Sequence, residues 1–322
     1  LTTLIFDGHH LIHRTAFIPE LQRLSSPNTD VPTGPIYGFL KVLRANLNYF
    51  KADSCIVAWD SPGGSTYRRE IYPDYKANRA TQERPEALQH IGEQKEILQT
   101  ILPYLSVKQM AVSGYEGDDL IHLLIRSLFR ITEVEDQSDL DIIVITGDKD
   151  LLQVVTDGVR VYRPIADQLI SIENFEESTG IPRQLFALRK AVTGDKSDNI
   201  DGIQGVGEKT ANKLLAEAFL DDESWETDIN LLYFQGVCSD HKTKTAKRIA
   251  ENWKVVVRNM ALVDLSRVKF GSTHYAKAKA ILEADGKVGT TDIELLKLLG
   301  SYEFKEFTKN FVGWIAPFRR LS

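Results

Sequence analysis

An α/β fold with a mostly parallel central sheet flanked by helices is predicted for this 322-residue chain by three observations. Three short apolar runs, LTTLIF, SCIVAW and DIIVIT, have the length and character of buried parallel strands. Longer stretches with helical apolar spacing alternate with them, and Leu120, Leu123, Leu124 and Leu128 form the clearest. Each run also leads into an acid, Asp7, Asp60 or Asp148, at the strand end where open α/β sheets bind their ligands.

The elements follow in order. Residues 1–60 read as strand, loop, helix over about Pro35–Phe50, and strand. Residues 65–100 interrupt this alternation with a basic and aromatic insert. KQMAV, a helix, DIIVIT, a short helix and VRVYRP then resume it to about residue 165. Beyond Pro182 the pattern is mostly helical. The expected division is an α/β core over residues 1–182, with the insert at about 65–100, and a helical subdomain over 183–322. In the tail, Phe304, Phe307, Phe311, Trp314 and Phe318 alternate by threes and fours, which predicts one amphipathic helix packed on the core.

Composition narrows the class. Cys55 and Cys238 lack any CxxC or Cys/His spacing, and a reducing cytoplasm is the simplest inference. No run reaches the length of a membrane span, and no signal peptide is visible. The formal net charge is −6, which alone argues against a nucleic-acid partner. The charges are unevenly placed, however. Setting aside nine acids as candidate metal ligands leaves 36 of the 45 against 39 Lys and Arg, or +3. Asp221 to Asp228 is an acidic run, whereas Lys242, Lys244, Lys247 and Arg248 form a basic cluster.

Those nine acids carry the chemistry. They are Asp7, Asp60, Glu116, Asp118 and Asp119 in GYEGDDL, Asp148 and Asp150 in TGDKD, and Asp195 and Asp198 in TGDKSDN. Gathered carboxylates repel one another unless cations neutralise them. Hard divalent ions such as Mg²⁺ take oxygen ligands and usually bind beside substrate phosphates. Glu116 and Asp119 are three apart at the start of a predicted helix and share a face. The competing reading for any one cluster is a helix cap, a turn or a solvated surface.

Two further segments bear on nucleic acid. The insert carries Arg68, Arg69, Lys76, Arg79 and Arg84 among Tyr67, Tyr72 and Tyr75, a mixture that suits single strands: cations for the backbone, rings for bases. If this part is helical, Lys76 and Arg79 share a face. GIQGVGEKTANKLL, from Gly202, combines a Gly-rich turn with a helix start, whose N–H groups suit a phosphate. Glu208 breaks the Walker spacing, and no strand leads in as a Rossmann fingerprint requires. His9 and His13 have a zinc-like spacing but no further nitrogen or sulfur ligands nearby.

FDG at Asp7, AWD at Asp60, GYEGDD, TGDKD and TGDKSDNIDGIQGVGEKTA occur in an order that resembles the 5′-nuclease family. That family comprises the 5′→3′ exonuclease domain of bacterial DNA polymerase I, phage 5′-exonucleases and flap endonucleases. The resemblance implies a PIN-like 5′-nuclease fold with a helical arch at YKANR and a helix–two-turn–helix motif at about 185–219. It implies hydrolysis of DNA or RNA phosphodiesters near 5′ ends by two or more Mg²⁺ ions, with Mn²⁺ as a substitute. Asp7, Asp60, Glu116, Asp118 and Asp119 correspond to a tighter metal site. Asp148, Asp150, Asp195 and Asp198 correspond to a weaker one.

The resemblance also places Lys76 and Arg79 at the scissile phosphate, with Arg68, Arg69 and a stacking Tyr75 on the substrate strand. Gly205, Gly207, Lys209, Thr210 and Lys213 would grip duplex DNA, with K⁺ in the turn. His9 and His10 depart from the small polar residues that usually follow the family's Asp-Gly. The implied protein is a freestanding, phage-like monomer acting on branched, flapped or nicked DNA and RNA–DNA hybrid, in primer or flap removal or in repair. It would act in a cytoplasm, that of the host if phage-encoded. A PIN-like single-strand ribonuclease, a non-catalytic branched-DNA-binding protein and a dehalogenase-like phosphatase are the rival readings. The last needs an acid where His9 stands.

Overall fold

The computed structural model describes residues 1–81, 85–132, 139–219, 227–285 and 291–321. Arg84 of the insert and much of the Asp221–Asp228 run lie outside the described residues. The chain folds as two compact units, one of Leu1–Pro62, Glu83–Leu169 and Phe270–Ser322, the other of Gly63–Gln82 and Ile170–Lys269. This differs from a division at residue 182: the insert is split, and the C-terminal segment belongs with the sheet.

The first unit is organised by a six-stranded sheet in the order β3-β2-β1-β4-β5-β6. Its strands are β1 (Thr2–Asp7), β2 (Ser54–Ala58), β3 (Lys108–Met110), β4 (Asp141–Ile145), β5 (Val159–Arg163) and β6 (Gln168–Ile170). The β1–β2, β1–β4, β2–β3 and β4–β5 pairs are parallel, with Asp7 opposite Ala58 and Phe6 opposite Ile145. Consecutive residues Leu4, Ile5 and Phe6 are all fully buried, as they must be in a strand covered on both faces. From β1 the chain steps out to β2 and β3, then returns to build β4 and β5 on the other side. The order therefore reverses between β1 and β4, where such sheets open a ligand crevice at their carboxyl ends.

Helix Gly34–Phe50 buries Ile36, Phe39, Leu40, Leu43 and Leu47, the stripe expected of a helix lying on a sheet. Pro35 sits in its first turn, and Lys51 ends it in a left-handed conformation. The aromatic tail packs on this layer: Phe304, Phe307, Trp314 and Phe318 all enter the core, and Phe307 stacks on Tyr37 at 4.7 Å. It is not one helix, however. It breaks into Lys305–Lys309, Phe311–Ile315 and a 3₁₀ turn at Phe318–Arg320. Asn310, away from helical geometry, caps the second piece through Gly313 N–H, and Pro317 follows its end.

The second unit is mainly helical. Helix Trp253–Val263 packs on Phe186–Thr193 and on Thr66–Ile71. Asn259 is fully buried between them, its amide donating to Ala191 O and Asp201 O at 2.8 Å each. A two-stranded antiparallel ribbon, β7 (Gly194–Asp195) and β8 (Ile200–Asp201), leads through a turn to helix Glu208–Ala218. The insert is helical only at Thr66–Ile71 and Asn78–Thr81 within this unit. Pro73 forces Tyr72 into extended backbone (φ −144°, ψ 101°), and Lys76 is left-handed at φ 55°. Lys76 and Arg79 therefore do not share a helical face. Among the described residues, no helix is long and apolar enough to cross a membrane.

Candidate metal centre and nucleic-acid surfaces

In the first unit the acids gather at the carboxyl ends of β1, β2 and β4. Asp7 ends β1 and is 8% exposed. Its Oδ1 accepts from His10 N–H at 3.0 Å, and its Oδ2 accepts from the Thr146 hydroxyl at 3.1 Å. Burial pushes the Asp7 carboxyl up to about 8, and the charges of Asp60 and Asp148 push the same way against these two hydrogen bonds. Thr146 ties the second acid group in, accepting from Asp148 N–H at 3.0 Å, and Asp148 Oδ1 in turn accepts from Asp150 N–H at 2.8 Å.

Asp60 Oδ1 accepts from Gly117 N–H at 2.6 Å, so β2's acid is fixed to the first turn of helix Gly117–Ile131. Lys95 Nζ donates to the Asp60 carbonyl at 2.6 Å. Glu116 and Asp119 are 8% and 2% exposed. Asp119 Oδ2 caps Glu116 N–H at 3.0 Å, and Asp118 Oδ1 accepts from Asp119 N–H at 2.8 Å. The capping reading of this cluster is thus realised in part.

His9 Nε2 lies 3.8 Å from Asp60 Oδ2, and its ring packs on His13 at 4.2 Å between centroids. His10 sits over Gly147, where a β-carbon would collide with its imidazole. Burial lowers the pKa of His10, and Arg14 and Arg163 add to the effect against the charge of Asp148.

In the second unit, cations surround Asp195 and Asp198. Asp195 Oδ2 pairs with Lys190 Nζ at 2.7 Å, and Oδ1 accepts from the Ser197 N–H and hydroxyl at 2.8 and 2.6 Å. Burial opposes ionisation of Asp195, but Lys190 and these hydrogen bonds outweigh it and hold the carboxyl at about 2. Asp198 accepts from Arg79 Nη2 at 2.8 Å and from the Tyr75 hydroxyl at 3.1 Å, with Lys76 Nζ at 3.7 Å. Lys76 N–H donates to the Asp198 carbonyl at 2.8 Å, and the Asn199 amide donates to Asp74 O at 2.7 Å. The YKANR and TGDKSDN segments are clipped together backbone to backbone.

Two assignments need correction. Tyr75 is 2% exposed, with its ring between Lys76 Nζ (4.8 Å) and the Arg68 guanidinium (5.9 Å). It is a packed support for Asp198 and offers no open face for a base. Arg68 is 3% exposed and donates from Nε to Leu262 O at 2.9 Å, so it braces the unit and does not face solvent. Arg69 is exposed and donates to Tyr75 O at 3.3 Å.

Gly205 is left-handed at φ 77°, which only glycine adopts without strain. Gly207 caps helix Glu208–Ala218 without a side-chain hydrogen bond, so the helix's first N–H groups point outward from the turn. Lys209, Thr210 and Lys213 are exposed on the same helix. Arg248, from the basic cluster, donates to Gln204 O at 2.8 Å and steadies the turn.

Sequence reasoning missed Thr146 and Lys190, and it named Arg248 only as part of a basic cluster. Thr146 stood inside TGDKD, next to two named acids. Lys190 is five residues before Asp195 on the preceding helix, a spacing that signals nothing until the ribbon folds back.

Buried acids gathered at a sheet's switch point mark an α/β protein suited to binding cations beside phosphate. Residues 2–180 match the family described as 5′-3′ exonuclease, N-terminal resolvase-like domain, and the chain belongs to it. It is 36% identical over 220 residues to a 5′-3′ exonuclease of Bacillus subtilis, covering 66% of this chain and 69% of that one. It is 36% identical over 221 residues to DNA polymerase I of Caldicellulosiruptor bescii, covering 66% of this chain but only 24% of the polymerase. The chain thus spans about a quarter of that relative's length. The fold is that of the bacteriophage T5 flap endonuclease solved with DNA and metal ions, at TM-score 0.60 and 20% identity, covering 98% of this chain and 100% of that one.

Proposed function

We propose that this chain is a structure-specific 5′-nuclease that hydrolyses phosphodiesters near 5′ ends with divalent metal ions. One observation supports this above others: Asp7 is buried at the end of β1, and the charges of Asp60 and Asp148 add to the burial that raises its pKa. A carboxyl in that setting needs either a proton or a cation. The donor set consists of carboxylate oxygens, which suits Mg²⁺ or Mn²⁺. Asp7, Asp60, Glu116, Asp118 and Asp119 would hold one ion. Asp148, Asp150, Asp195 and Asp198 would contribute to a weaker one, an assignment that rests on the sequence pattern. When bound, such ions activate a water and stabilise the leaving oxygen.

The chain's own residues do the rest. Lys76 and Arg79, held near Asp198, supply positive charge for a phosphate that gains negative charge in the transition state. Tyr75 and Arg68 fix their position. The turn at Gly205 and Gly207, with Lys209, Thr210 and Lys213, takes duplex phosphates through backbone N–H groups and ammonium ions, and K⁺ in the turn would suit its carbonyls. The substrates are flapped, nicked or branched DNA and RNA–DNA hybrid, cut by a monomer in replication or repair. The B. subtilis relative is named a 5′-3′ exonuclease and the T5 neighbour a flap endonuclease, which supports this class.

The test is digestion of 5′-labelled flap, nicked and single-stranded substrates side by side. Cleavage of flaps and nicks should vanish in chelator and return with Mg²⁺ or Mn²⁺, while Ca²⁺ supports binding better than turnover. Full-rate cleavage in chelator would defeat the metal reading, and cleavage of single-stranded RNA alone would favour the ribonuclease.

A further inference from the structure

At the switch point of the first unit, next to the acids, is a cavity of about 250 Å³ that the proposed chemistry does not use. It opens between the carboxyl end of β4, the helix that follows β1, and the segment after β5. Its aliphatic surface comes from Leu11, Val42, Pro164 and Ile165, and its polar groups include His10 and Arg14. Ile18 and Ile165, 37% and 58% exposed, also line it, so apolar surface continues to solvent. The volume falls just under the 300–1,000 Å³ typical of drug-sized ligand sites, which suits a single flat ring system rather than a chain.

The cavity and the acid cluster share residues. His10 lines the cavity with its ring while its backbone N–H holds Asp7 Oδ1, and Thr146 lines it while bonding both Asp7 and Asp148. Gly147 completes the connection, because any side chain there would displace the His10 ring. Mostly apolar surface with a few nitrogen donors suits an aromatic heterocycle. Position directly beside acids that would hold divalent ions, and through them a phosphate, suits a heterocycle attached to a phosphate.

We propose that this cavity is a nucleobase pocket that receives the base of the nucleotide at the cleaved end. This rests on the nuclease reading above. His10 offers a ring face for the base, Leu11, Val42 and Pro164 offer apolar contact, and Arg14 offers donors to acceptors on the base edge. The pocket would let the enzyme hold a nucleotide by its base while the divalent ions held by the acids engage its phosphate, and base-bearing ends would be processed better than abasic ones.

The test separates base from phosphate and does not need cleavage. Wild-type protein in Ca²⁺, which supports binding better than turnover, is titrated with deoxynucleoside 5′-monophosphates and, separately, with deoxyribose 5-phosphate, with binding read by NMR shifts of the cavity methyl groups and by calorimetry. The monophosphates should bind roughly tenfold more tightly, the factor that about 1.4 kcal/mol of base contact provides. Val42→Phe fills the cavity and should erase that difference while the deoxyribose phosphate is unaffected.

Ile165→Ala, at an exposed position that does not threaten folding, should reduce the difference and carries the comparison if Val42→Phe does not fold. Equal affinity for base-bearing and baseless phosphates would overturn the pocket, as would shifts confined to residues outside it. Failure of the nuclease reading shows separately, as wild-type protein that does not cleave flaps with Mg²⁺.

Discussion

Asp7→Asn should make the metal-free protein more stable at neutral pH while removing its chemistry. The carboxyl is buried, and its folded-state pKa is raised from 3.8 to about 8. The native state therefore keeps a proton that the unfolded chain loses above pH 3.8. The sign follows: stability is full below that value and falls as pH rises, until the loss is complete above about 8. At pH 7 roughly three pH units have been crossed, and at about 1.4 kcal/mol each the native state has lost on the order of 4 kcal/mol. Asn has no charge to bury, and its oxygen can still cap His10 N–H.

The assay is urea denaturation of both proteins in chelator at pH 4 to 8. The difference between them should be small at pH 4 and grow toward pH 7 in the variant's favour. Mg²⁺ should raise the wild type's midpoint increasingly with pH and the variant's much less. A variant no more stable than wild type at pH 7, or a difference that does not change with pH, would refute the reasoning.

Other perturbations separate the remaining roles. Lys76→Ala and Arg79→Ala should each lower single-turnover cleavage far more than flap binding, because their charge acts on a transition state; unchanged rates at saturating enzyme would reduce them to structural partners of Asp198. Asp195→Asn leaves the mostly buried Lys190 ammonium without its carboxylate and should cost about 2 kcal/mol at pH 7. Since the folded-state value is depressed, that stabilisation is present above about pH 4 and disappears toward pH 2, so denaturation curves of variant and wild type should converge in acid. Replacing Asp195 and Asp198 together by Asn should preserve flap binding and raise the Mg²⁺ concentration needed for residual cleavage, and normal cleavage at ordinary Mg²⁺ would make these acids structural. Arg248→Ala frees the Gln204 carbonyl and should weaken duplex binding by a few fold, most visibly at higher salt.

The parallel sheet was legible because burial on both faces writes continuous apolar runs: LTTLIF, SCIVAW and DIIVIT became β1, β2 and β4 within a residue or two. The acids were legible because they terminate those runs. The roles of the insert's side chains were not. Cations and rings read as a nucleic-acid surface whether they point outward or inward, and Arg68 and Tyr75 point inward. Spacing also suggested one face for Lys76 and Arg79, yet Pro73 and the left-handed Lys76 break the helix, and the two side chains reach Asp198 from a turn and from the short helix after it. The tail showed its apolar alternation correctly, but the breaks at Asn310 and Pro317 are local effects that periodicity averages away. The boundary at residue 182 failed because packing partners more than 250 residues apart, such as Tyr37 and Phe307, leave no mark in local composition.

The discontinuity of the first unit has a bearing on how the chain matures. Phe307, Trp314, Phe318 and Leu321 share one core with Phe39 and Leu43, and the whole second unit is synthesised between them. During translation the sheet can assemble early, but its apolar flank at helix Gly34–Phe50 stays uncovered until residues 304–321 leave the ribosome. At ordinary elongation rates of about 5–20 residues per second, the roughly 270-residue delay is on the order of tens of seconds. Over that interval the sheet and the helical unit are both free to form while this flank stays bare. The aromatic segment thus determines when the core of the sheet-bearing unit is complete, and the nascent chain exposes aggregation-prone surface until then.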